Sequence, residues 1–123
     1  MYNKCHVCSC KIKSEMDDAF TYRYYLTQNG KGICKEGGTV TVLSYGIEAI
    51  CEKVLMGVPI EVSNDFLDSI SPYREKVLGL IEFLKENEVS PVHLVEIAGP
   101  FADEWIEDFE TEAETLTEKT IFA

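Results

Sequence analysis

The sequence predicts an α+β domain. A three-stranded antiparallel meander, with room for a fourth strand, is followed by two or three C-terminal helices packed on one face. Two observations carry the expectation. Residues 18–53 alternate apolar and polar side chains with the period of a strand, whereas residues after Ser71 change to helical spacing. Ser-Pro pairs at Ser71-Pro72 and Ser90-Pro91 each precede such a helical run. A serine at the N-cap can accept an orphan N–H, and a proline in the first turn loses nothing by lacking one. At 123 residues the chain has the length of one domain. The expected divisions are a cysteine-rich tail or accessory segment over 1–16, the α+β domain over 17–112, and an acidic tail over 113–123.

In the first strand, residues 18–28, Phe20, Tyr22, Tyr24 and Leu26 share one face, and Thr21, Arg23, Tyr25 and Thr27 share the other. Asn29-Gly30 and Gly37-Gly38 suggest a long hairpin loop over 28–38. The second strand, 39–53, puts Leu43, Tyr45, Ile47, Ala49 and Cys51 on its apolar side, with Gly46 marking a bulge or a close backbone approach. Residues 58–62 form a third strand, with Pro59 at its edge, and 66–70 could supply a fourth. The first helix is expected from Pro72 to Glu86, with Val77, Leu78, Ile81 and Leu84 inward and Asn87 in a left-handed C-terminal position. The second starts at Pro91, buries Leu94, Val95 and Ala98, and is interrupted at Gly99-Pro100. A third piece carries Phe101, Trp105 and Phe109 as one aromatic stripe and frays after about Glu112. Tyr24, Leu26, Leu43, Ile47, Val77, Ile81, Leu84, Leu94 and Trp105 are the expected core.

Charge is distributed unevenly. The chain carries −11, with seven basic and six acidic side chains in residues 1–60 but four and sixteen in 61–123. Such a second half opposes direct nucleic-acid binding. No apolar run approaches the ~20 residues that cross a bilayer. The basic N-terminus lacks the apolar core of a signal peptide, so a cytoplasmic location without membrane contact is expected. Eight acids and no base lie between Asp103 and Glu118, on a helix where like pairs at i,i+4 cost stability. Asp103, Glu104, Glu107, Asp108 and Glu110 are therefore the candidate surface for a basic protein partner.

Cys5, His6, Cys8 and Cys10 offer soft ligands, and zinc is the cofactor their spacing would admit. A structural zinc site wants a second ligand pair, and Cys34, Cys51 and His93 are scattered, so no cofactor is expected. The nearby Lys4, Lys11 and Lys13 would lower the thiol pKa values. Five cysteines without a secretion signal argue against a disulfide framework. No catalytic constellation emerges. Cys51 with His93 lacks a reason to meet, His93 and Glu96 are a single i,i+3 pair, and Glu48 with Glu52 needs a known separation. Tyr22-Arg23-Tyr24-Tyr25 could be a base-stacking platform, but core packing suits a near-neutral sheet better.

The Tyr45-Gly46-Ile47-Glu48 strand, the capped helix and the Asn87-Glu88-Val89-Ser90-Pro91-Val92-His93-Leu94 turn together resemble an uncharacterised family of short acidic Firmicutes proteins, a domain of unknown function. The likeness spans roughly 20–110, leaves out the N-terminal cysteines, and implies a bacterial cytoplasm with no attached catalysis. The leading expectation is a non-enzymatic interaction or regulatory protein that binds a basic protein, its oligomeric state open. The alternatives are an inhibitor that mimics nucleic acid to block a defence enzyme, and a metal or redox module built on the N-terminal cysteines.

Overall fold

The computed structural model describes the backbone of residues 3–13 and 19–122 and the side chains of 3–12 and 19–117. Residues 1–2 and 14–16 of the expected N-terminal segment, 17–18 at the start of the expected domain and Ala123 of the expected tail lie outside them. Four antiparallel strands, β1 (Asn3–Lys13), β2 (Ala19–Lys35), β3 (Gly38–Leu55) and β4 (Val58–Ser71), lie side by side in chain order. Helices α1 (Arg74–Glu86), α2 (Leu94–Glu104) and α3 (Glu107–Phe122) follow, with a 3-10 turn at Pro91–His93 before α2.

The cysteine segment supplies the additional strand, β1, paired along β2. The glycines of 28–38 are not a loop. Gly30 and Gly32 sit inside β2 opposite Leu43 and Thr41, and the chain reverses in two residues, Glu36-Gly37, with Gly37 at φ 94°. The second hairpin reverses at Met56-Gly57, both left-handed at φ 51° and 79°, which suits the twist of the flanking strands. β4 runs as one strand from 58 to 71, joining the expected third strand to the extra one.

Side chains alternate across the sheet, so registered partners share a face. Cys5, Leu26, Ile47 and Leu67 form one cross-strand row; Cys8, Tyr24, Ala49 and Asp65 form the next. This face meets α1 and α2, and Tyr24, Leu26, Ile47, Ile70, Val77, Ile81, Leu84, Leu94 and Ala98 close into the main core. Between Tyr45 and Ile47 the β4 register jumps from Ser71 to Leu67. Gly46 accommodates that bulge, because a Cβ there would overlap the Leu67 carbonyl and lie 2.9 Å from the Asp68 Cα.

The expectation of helices on one face holds for α1 and α2. α3 instead packs Phe109 and Ala113 against Ile33 and Val42, residues of the opposite parity, in a second, smaller core. Leu43 has the inward parity, yet it stays 46% exposed, on the side of the β2–β3 hairpin that α3 leaves open. Trp105 is half-buried and Val95 exposed, where both were expected inside.

Helix boundaries also differ. Ser71 ends β4 rather than capping a helix at Pro72; its Oγ accepts the Tyr73 N–H at 3.0 Å, and α1 begins at Arg74. At the other end Asn87 has φ −97°, and Glu88 takes the left-handed position at φ 49°. Pro100 does not interrupt α2, because the carbonyl of exposed Glu96, left without its donor, is on the wet side. The break comes at Trp105-Ile106, and α3 then continues to Phe122, well past Glu112.

Candidate functional site

On α1, Lys76, Gly79, Leu80 and Phe83 lie at i, i+3, i+4 and i+7 on one flank, and on α2 Phe101 and Trp105 are one turn apart. Where the two flanks meet they leave a groove of about 280 Å³. Its aromatic wall is continuous: the Phe83 and Phe101 centroids are 5.8 Å apart, and those of Phe101 and Trp105 are 5.6 Å apart. Gly79 opens the floor, since a Cβ there would have nothing within 4 Å. The expected stripe of Phe101, Trp105 and Phe109 is thus divided, because the helix ends at Trp105 and Phe109 turns into the second core.

Lys76 ties this groove to α3. Its Nζ sits 5.5 Å from the Trp105 ring centroid and 2.7 Å from Asp108 Oδ2, which also accepts from Ser71 Oγ at 3.4 Å. The five candidate carboxylates therefore fall into two groups. Asp108 is committed to Lys76, and Glu110 to Lys35 at 2.6 Å, an ammonium that Glu114 also approaches and whose pKa the carboxylates raise. Asp103, Glu104 and Glu107 are exposed, with no ion pair among the described residues. Glu104 lies one turn beyond Phe101, and Glu75, approached by Arg74 at 3.8 Å, stands on the opposite rim. The result is an apolar slot with free negative charge beside it.

The N-terminal ligands do not converge. A bulge at Val7 lets Cys5, Cys8 and Cys10 all face α1, although their spacing is odd then even. His6 points to the other side, with Nε2 2.7 Å from Ser9 Oγ and its ring edge-on to Tyr25. Among the described residues no group of three or more metal-ligating side chains comes together. The expected activation of the thiols is reversed: burial pushes Cys8 and Cys10 up from the usual thiol value.

The remaining combinations separate as well. Cys51 is buried with its thiol near Ser63, whereas His93 is exposed and pairs with Glu96 at 3.1 Å. Glu48 and Glu52 lie four residues apart on one strand, ~13 Å at strand rise, and each has its own cation, Lys4 and Arg23 respectively. Tyr22 and Tyr24 point to the helices, and Arg23 and Tyr25 to the open face, so the run is no single platform.

Over residues 3–104 the sequence matches the model of a family described as Family of unknown function (DUF6514). The chain belongs to DUF6514. The match runs from β1 to the last residue of α2, so it takes in the cysteine strand and the groove residues up to Phe101, and it stops just before Trp105 and short of α3. No curated protein matches the chain, and no solved structure does.

Proposed function

We propose that this DUF6514 chain is a non-enzymatic interaction protein that captures a basic segment of another protein, one with an apolar stripe flanked by lysine or arginine. The observation that carries the reading is the α1–α2 groove, with three aromatic rings in a row near Asp103, Glu104 and Glu107, which have no ion pair among the described residues. Aromatic anchors of this kind concentrate binding energy, and the cations of an incoming segment can meet both the rings and the rim. A helix laid along the groove, with residues at i, i+3, i+4 and i+7 facing in, matches its shape. Mimicry of a nucleic acid has less support, since Asp108 and Glu110 face Lys76 and Lys35 rather than extending a free row.

The test is capture from a native lysate by three forms of the protein, with salt titrated in the wash. Gly79→Leu fills the groove from an exposed helix position, and a triple change of Asp103 to Asn with Glu104 and Glu107 to Gln removes the free charge while leaving the α3 contacts intact. Capture of a basic protein that weakens in both variants and at high salt supports the reading. Equal retention by all three forms would refute it.

A further inference from the structure

The turn at Met56-Gly57 is unusual for what it exposes. A two-residue turn with both residues left-handed favours Asn, Asp or Gly, and a bulky side chain there costs roughly 1–2 kcal/mol. Met56 occupies that position at φ 51° and is 101% exposed, so it serves neither the turn nor the core. Its neighbours repeat the pattern: Val54, Leu55 and Val58 are about half open or more, and Ile60 and Val62 are 40% and 49% exposed. No charged residue occurs from Val54 to Ile60 in a chain of net charge −11.

We infer that this hairpin end is a self-association surface, on which two copies of the chain pack tip to tip about a two-fold axis. The patch, on the order of 500 Å² of apolar surface, is at the upper end of what monomers leave open. The row behind it, Ile12, Phe20, Lys53 and Ile60 on the face of α1 and α2, brings each copy towards the ~800 Å² of a standard interface. A two-fold interface needs a patch that complements itself, and flexible methionine with branched aliphatics does so readily.

Charge selects a second copy over other occupants. α3, which holds the densest acid, is seated at Val42, fourteen residues from Met56 along the hairpin, or ~45 Å at strand rise. Joined at their tips, two copies keep those helices many screening lengths apart, given a Debye length of about 8 Å. Among the described residues the tip from Val54 to Ile60 carries no carboxylate to meet a basic segment, and the nearest along β4 is Glu61. A lipid surface would need cationic flanks to offset −11, and among the described residues of the two tip strands only Lys53 is basic.

Sedimentation velocity across a concentration series tests the inference on the full chain. Wild type should approach twice the 13.9 kDa chain mass, with an affinity unchanged or raised by salt. Met56→Asp keeps a residue suited to the turn and adds a charge to the patch. It should weaken association more than tenfold while its thermal midpoint holds or rises. A wild type that stays monomeric at high micromolar concentration, a Met56→Asp protein that dimerises as tightly, or a dimer that dissolves in salt would each overturn it. Flotation of monomeric wild type with phosphatidylcholine vesicles would overturn it in favour of lipid.

Discussion

Removing the hydroxyl of Tyr24 isolates one interaction between sheet and helices. The side chain is fully buried in the middle of β2, and its Oη donates to the Val89 carbonyl at 2.7 Å, with the Leu84 carbonyl at 3.4 Å. Those two carbonyls flank the turn that ends α1, where the Val89 N–H also reaches Leu84 O at 3.0 Å. Tyr24→Phe keeps the ring and its packing, so little cavity forms, but Val89 is left with a part-buried carbonyl lacking its donor. Such an unmet group costs about 1–3 kcal/mol, and the lower half suits this site because the Val89 end is only part-buried. At a urea slope of about 1–3 kcal/mol per molar, a loss near 1.5 kcal/mol lowers the midpoint by roughly 0.5–1.5 M. Tyr25→Phe is the control, since Tyr25 points to the open face and should change stability by no more than about 0.5 kcal/mol. Urea unfolding followed by circular dichroism measures both. A Tyr24→Phe midpoint equal to wild type, or a Tyr25→Phe loss of the same size, would refute the claim that this hydroxyl fastens α1 to the sheet.

Other substitutions probe the same framework. Leu84→Ala should cost about 2–5 kcal/mol and Leu43→Ala under 1 kcal/mol in the same assay, because only the first side chain is enclosed. Gly46→Ala should destabilise by about 3 kcal/mol or more, since backbone on both sides of the bulge blocks the methyl. Gly79→Ala, in an open helix position, should instead stabilise by about 0.5–1 kcal/mol in thermal melts. Burial raises Cys8, Cys10 and Cys51 above the usual 9.0 and Tyr24 above 10.0. The unfolded chain therefore loses these protons first as pH rises, so their contribution is whole below about pH 9 and declines above it. The urea midpoint at about pH 10 should accordingly fall below that at about pH 8.

Much of the architecture was legible in the sequence where periodicity and burial coincide. Tyr24, Leu26, Ile47, Val77, Ile81, Leu84 and Leu94 face inward as their spacing requires. The failures have physical causes. Gly30 and Gly32 look like turn residues, but β3 pairs with β2 through both, opposite Leu43 and Thr41, and that pairing carries the strand on to Lys35. Leu43 has the correct parity, but parity does not say where a covering helix stops. The bulge at Val7, which leaves three cysteines on one face and His6 on the other, depends on pairing with β2 that the segment does not reveal alone. For the candidate site, the run of acids was visible, whereas its division into neutralised and free carboxylates depends on Lys35 and Lys76 from distant parts of the chain. The groove was hidden because α2 continues through Pro100 and carries Phe101 and Trp105 alongside α1.

The small core under α3 gives that helix its own unfolding equilibrium. Four buried side chains, Ile33, Val42, Phe109 and Ala113, hold it to the sheet, apart from the larger set that fastens α1 and α2. Proteins open in cooperative units whose cost follows their buried contacts. Amide hydrogens of α3 should therefore exchange through a partial opening well below the free energy that protects the middle of β2 and β3. Each such opening would release Asp108 from Lys76 and Glu110 from Lys35, so the negative charge available to solvent would rise and fall with the docking of one helix.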